Sequence, residues 1–210
     1  EVTKKNLKRT FKEWLIDNVK PGDKALFYFS GHGVQMRNPN AVEEEDGNDE
    51  LLCLYDSFRH SYTFLRDNEL GSWMDQINTD QKIVCLDCCH SGTGTRSLLV
   101  GLDGETDNLP RPKAYYPTGE AVIRESTIDE IMESDPDVKD ADLAAALGGG
   151  TRAVSVGDTG GETSIAGCRD DQVSMESPGI GGGVLTHHLI KSMGTRKADI
   201  NSDGVVTARE

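Results

Sequence analysis

Lys82–Gly92, KIVCLDCCHSG, is the stretch on which the reading of this chain turns. An apolar run, Ile83 to Leu86, is closed by an acid, two thiols and a tight polar turn. Such a run between polar residues suits a central parallel strand covered on both faces. Open α/β sheets place their sites at the carboxyl ends of strands, where Asp87, Cys88 and Cys89 fall. Upstream, Lys24–Gly33, KALFYFSGHG, has the same form, an apolar strand delivering Ser30 and His32 into a glycine-flanked turn. Two such strand ends predict a Cys–His pair assembled in space from separate loops.

Around these strands the pattern alternates between helix and strand, which points to a mostly parallel sheet flanked by helices. Leu7, Phe11, Trp14, Leu15 and Asn18 recur at helical spacing and predict an amphipathic helix over Thr3–Val19. Pro21-Gly22-Asp23 ends it before the strand Ala25–Phe29. Arg37–Asp49, with its acids from Glu43 to Asp46, reads as a loop, and Leu51–Tyr55 as a short strand. Asp67 is a candidate N-cap for a helix over Asn68–Asn78, with Leu70, Trp73, Met74 and Ile77 inward. From Thr93 to Gly150 glycines, prolines and acids dominate, and a span this long inside a compact domain is functional or disordered. Short helices are expected at Thr127–Met132 and Asp140–Leu147, a strand at Thr151–Val156 and a helix at Gly183–Met193.

The totals narrow the partners. With 210 residues the chain can bury a real core. Lys and Arg number 22 against 36 Asp and Glu, a net charge of −14, which argues against nucleic acid or anionic membrane as partners. Cationic substrates and divalent metal remain compatible with it. Cys53, Cys85, Cys88, Cys89 and Cys168 do not space as a disulfide framework or as a paired zinc motif. The apolar runs fall short of a membrane span, and a reducing, cytoplasmic location is expected.

A free thiol is mostly protonated at neutral pH, so Cys89 as a nucleophile needs a base. His32 is the candidate, with Gly31 and Gly33 leaving its backbone free to approach a substrate. The amides of Gly33 and Cys89 are then natural oxyanion donors. His90 is the rival base and Cys88 the rival nucleophile. Asp87 is either a turn or capping acid, or the floor of a pocket that pairs with an Arg or Lys side chain.

SGHGVQ together with DCCHSGT resembles the metacaspase branch of the caspase-like cysteine peptidases. The likeness continues through DELLCLYD, DNELGSWM, TRAVSVGDTGGETSIAGCRDDQVSMES and GGGVLTHHLI, in the family's order. It implies a caspase-like α/β sandwich, with residues 1–93 as the large-subunit-like part, 94–150 as the intersubunit linker and 151–210 as the small-subunit-like part. It implies a cysteine endopeptidase cleaving proteins or peptides after Arg or Lys, with His32 and Cys89 as the dyad and Ser30 and Asp87 lining the specificity pocket. A catalytically silent scaffold or assembly subunit on the same fold is the alternative. The family's first strand lies upstream of the first helix here, so a separate chain or segment is expected to supply it.

Calcium is the cofactor the resemblance raises, with Asp49 and Asp67 matching the family's acids and Arg96 standing where a further acid is expected. Independently, Asp199, Asn201, Asp203, Gly204, Val205 and Glu210 in DINSDGVVTARE fall at the loop positions of an EF-hand, against the plainer reading of a polar turn. A basic-specific peptidase is also expected to cut its own linker. Among Arg96, Arg111, Lys113, Arg124 and Lys139, crowding by proline, acids or the catalytic turn leaves Lys113 and Arg124, and Arg124 is the expected site.

Overall fold

The structure is a computed structural model, and it describes residues 1–37, 48–57, 60–89, 110–114, 123, 126–136, 138, 157–158, 161–168 and 172–207. Its main sheet is α/β and mostly parallel. Strand β1 (Lys24–Ser30) runs parallel to β5 (Gln81–Asp87), from Lys24 beside Gln81 to Ser30 beside Asp87. The other edge of β5 pairs in parallel with β8 (Glu162–Ala166), and β7 (Gly157–Asp158) closes the order β1-β5-β8-β7 antiparallel to β8. The third parallel strand, β8, went unread because ETSIA carries too little apolar character to stand out.

Period-two alternation decides what each strand buries. Ala25 and Phe27 point into the core with Phe29 partly buried, while Leu26 on the other face is 58% exposed. Val84, Cys85 and Leu86 are buried in β5, but Ile83, directly beside Leu26, is 37% exposed. The central strand is therefore covered on both faces only toward its carboxyl end, among the described residues.

Helix α1 (Lys4–Phe11) starts where the Thr3 hydroxyl accepts the Asn6 amide at 3.3 Å. It packs Phe11 against the rings of Phe27 and Trp73, at centroid distances of 5.9 and 5.4 Å. The helix continues as a π turn, Lys12–Ile16, which corrects the predicted inward face. Hydrogen bonds from i to i+5 delay the rotation, so Trp14 swings out and is 73% exposed while Leu15 and Ile16 meet the core. Helix α2 (Asp67–Asp75) places Leu70, Trp73 and Met74 in the same cluster, joined by Ile77. Asp67 is its first helical residue and not its cap, and with Glu69 it puts negative charge at the positive end of the helix.

Gly33 leads directly into β2 (Gly33–Arg37), which pairs antiparallel with β3 (Asn48–Leu52), and β3 pairs with β4 (Leu65–Arg66). The loop expected from Arg37 to Asp49 thus carries a strand residue at each end, and residues 38–47 lie outside the described residues. Asp49 and Arg66 form an ion pair buried on both sides, where removing one partner costs roughly 3–5 kcal/mol.

The span read as a linker is partly built into the fold. Ile123 joins Val34, Leu51 and Phe64 in a second apolar cluster. Helix α3 (Ile128–Ser134) begins with a capping box between Thr127 and Glu130 and buries Ile131 with Tyr62. A small sheet joins β6 (Arg111–Pro112), β9 (Met175–Ser177) and β10 (Gly182–Gly183) in the order β10-β9-β6, and helix α4 (Val184–Gly194) follows. The expected helix at 140–147 and strand at 151–156 lie outside the described residues. Among the described residues no helix is long and apolar enough to cross a membrane.

Candidate active site

The carboxyl ends of β1 and β5 set Ser30 beside Asp87 in register, so the residues after them share one rim. The Gly31 amide reaches the Asp87 carbonyl at 3.3 Å, which fixes where the turn to His32 begins. His32 is exposed at this rim, and its carbonyl accepts the Cys53 amide at 3.0 Å. Gly33 then passes so close to the carbonyl of Cys89 that a Cβ there would overlap it. Glycine is required at this crossing for space.

Lys113 fills the cleft between these ends. Its carbonyl oxygen accepts two hydrogen bonds, from the Gly33 amide at 3.0 Å and the Cys89 amide at 3.3 Å. Its own amide donates to the Ser174 carbonyl at 2.9 Å. Its side chain is buried, with Nζ 2.7 Å from Ser30 Oγ and 3.2 Å from Asp87 Oδ2. The preceding Arg111 and Pro112 lie as a strand on β9, opposite Glu176 and Met175. One residue of the chain therefore buries its ammonium beside Ser30 and Asp87 and sets its carbonyl on two converging amides. Converging amides of this kind can stabilise an oxyanion.

Asp87 is fully buried. Burial alone would raise its pKa, but hydrogen bonds from Thr186 and Ser174 and the Lys113 ammonium outweigh it and hold the carboxyl below its ordinary value. Ser174 Oγ donates to Oδ1 at 2.9 Å, the Thr186 amide to Oδ2 at 3.2 Å, and the Thr186 hydroxyl also reaches Oδ2. Tyr28 holds Thr186 in turn, hydroxyl to hydroxyl at 2.5 Å. A Cβ on Gly183 would run into the Asp87 carboxylate and the Lys113 ammonium, so the pocket wall has room only for glycine.

The Cys89 thiol is buried and donates to the Ser174 carbonyl at 3.0 Å. A hydrogen bond with the Cys168 thiol, followed by burial, pushes its pKa up, so with the cleft filled it is held as a thiol. Cys88 lies in the main apolar cluster, and burial pushes its thiol up as well. Of the expected site residues, the structure brings Ser30, Gly33, Asp87 and Cys89 onto one residue, Lys113, with His32 next to Gly33. Ser174, Gly183, Thr186 and Lys113 itself are pocket residues that sequence reasoning did not assign. Ser174 precedes β9, Gly183 ends β10 and Thr186 lies in the first turn of α4, and no local periodicity marks them.

Asp49 is engaged by Arg66 within the buried strands, and Asp67 opens α2. In the tail, Asp199, Asn201 and Asp203 accept the amides of Gly204, Asp203 and Val205 at 2.8–3.0 Å, closing a polar turn in which Gly204 takes φ +86°. Glu210, Arg124, His90 and Arg96 lie outside the described residues. Among the described residues no group of three or more His, Cys, Asp or Glu side chains is arranged to hold a metal ion.

Residues 1–97 match the family described as metacaspase, peptidase C14 domain. Metacaspase III c of Phaeodactylum tricornutum is 41% identical over 78 residues, 36% of this chain and 23% of that protein. Metacaspase-1 of Arabidopsis thaliana is 35% identical over 92 residues, 43% of this chain and 24% of that protein. The matched stretch thus spans about a quarter of the length of these relatives. Among solved structures, protein GSU0716 from Geobacter sulfurreducens has a similar fold, with a TM-score of 0.55, 23% identity, and coverage of 93% of this chain and 63% of that one. Strand order and the site at the carboxyl ends of β1 and β5 accord with this likeness, in which residues 1–97 are similar to the metacaspase peptidase C14 domain and the chain has a caspase-like fold.

Proposed function

We propose that this chain is a cysteine endopeptidase that cleaves after Lys or Arg, and that its own Lys113–Ala114 bond is its first substrate. The observation that carries the reading is the seating of Lys113, with side chain on Asp87 and Ser30 and carbonyl on the amides of Gly33 and Cys89. A buried carboxylate needs a cation beside it, and a substrate Lys or Arg supplies the same charge once Lys113 has left. Self-processing falls at Lys113 in this reading, in place of Arg124.

In this reading the steps are those of a thiol peptidase. His32 takes the proton of the Cys89 thiol, and the thiolate attacks the carbonyl carbon. Charge gathers on the oxygen, where the Gly33 and Cys89 amides stabilise it. His32 returns the proton to the departing amine, leaving a thioester on Cys89. Water, activated by His32, then releases the new carboxyl terminus and restores the thiol.

The test is hydrolysis of a fluorogenic peptide with Arg or Lys at the cleavage position. The wild type should release the fluorophore, and Cys89→Ala and His32→Ala should not. Release by Cys89→Ala with loss in Cys88→Ala would assign the nucleophile to the wrong thiol, and a preference for Asp substrates would overturn the pocket reading.

A further inference from the structure

The contacts that seat Lys113 lie upstream of the bond to be cut. Arg111 and Pro112 pair with β9, the Lys113 amide holds Ser174, its carbonyl holds two amides, and its ammonium holds Ser30 and Asp87. Downstream, the described residues contribute one parallel bridge between Ala114 and Gly33. Cleavage of the Lys113–Ala114 bond therefore removes none of the upstream contacts.

We propose that the cut end, Arg111-Pro112-Lys113 with its new carboxylate, stays in the cleft as a tethered product, so that self-cleavage alone leaves the peptidase latent until this end is withdrawn or trimmed. The inference rests on the reading of Cys89 and the Lys113–Ala114 bond given above. Three physical effects favour retention. The product carboxylate keeps an oxygen on the two amides, which now make charge-assisted hydrogen bonds. Departure of the ammonium leaves Asp87 buried without its cation until water or substrate arrives. Pro112 has a fixed φ, so an extended end costs less ordering on return, and a tethered end returns at an effective concentration of about millimolar.

The outcome to expect is competition, a raised KM for added substrate with kcat little changed. Self-cut wild type is assayed with an Arg fluorogenic peptide before and after carboxypeptidase Y, which removes carboxyl-terminal residues including a Lys preceded by Pro. Trimming should lower KM by about tenfold or more. Free Arg-Pro-Lys should inhibit the trimmed enzyme competitively. The proposal is overturned if the cut, untrimmed wild type has the same KM as its trimmed form. A chain that neither cuts itself nor hydrolyses the Arg peptide sinks the peptidase reading instead.

Discussion

Replacing Asp87 by Asn tests the pocket at its most sensitive atom. The side chain keeps its shape and one acceptor, for either Ser174 at the Oδ1 position or Thr186 at the Oδ2 position, and it loses the charge that faces Lys113 Nζ at 3.2 Å. Both partners of that pair are buried, with side-chain exposures of 3% and 0%, so solvent does little to screen the interaction. Taking one partner from a buried pair costs roughly 3–5 kcal/mol. At about 1.4 kcal/mol for each tenfold, this is a loss of ~10²–10³-fold or more in kcat/KM on Lys and Arg peptides. The assay compares basic peptides with peptides carrying Gln at the same position, for wild type and Asp87→Asn. The basic peptides should lose that factor and the Gln peptide should change by less than about fivefold. An equal loss on both, or a loss below about fivefold on the basic peptide, refutes the role given to Asp87.

Cys89→Ala and His32→Ala should each abolish turnover, and the double variant should lose little more, because both act in one step; additive losses in steady-state kinetics would separate them. Gly183→Ala should stop both self-cutting and peptide hydrolysis, since its methyl group enters the space of the Asp87 carboxylate and the Lys113 ammonium, and full activity in that variant contradicts the pocket geometry. The lowered pKa of Asp87 means that its charge stabilises the fold above the ordinary carboxylate value of about 3.9 and that this share is lost as pH falls through the lower folded value. In a Cys89→Ala background, unfolding free energies of Asp87 and Asp87→Asn chains should therefore run parallel from about pH 7 to 4 and converge only below it; convergence near neutral pH contradicts the pairing.

The paired strands were legible because each ends in chemistry as well as in apolar sequence. KALFYFSGHG and KIVCLDCCHSG carry their Ser, His, Asp and Cys residues at the carboxyl ends, and parallel pairing then places Ser30 beside Asp87. What completes the pocket was not legible in the same way. Ser174, Gly183 and Thr186 come from far along the chain, and their contact with Asp87 depends on how β9, β10 and α4 return over the sheet. Trp14 faces solvent against its helical spacing because a π turn interrupts the straight helix. Arg124, the cut expected from local crowding, lies outside the described residues, and the proposed cut falls at Lys113 despite Pro112 beside it. A proline is tolerated on an edge strand, and β6 is the edge of its sheet.

The central claim is that Lys113 sits in the cleft as a residue about to be cleaved. Intact mass spectrometry of the purified wild type and of Cys89→Ala tests it most directly. The wild type should yield one fragment ending at Lys113 and another beginning at Ala114, while Cys89→Ala stays whole. A wild-type chain that remains whole while it hydrolyses an added Arg peptide, or that is cut after Arg124 instead, contradicts it.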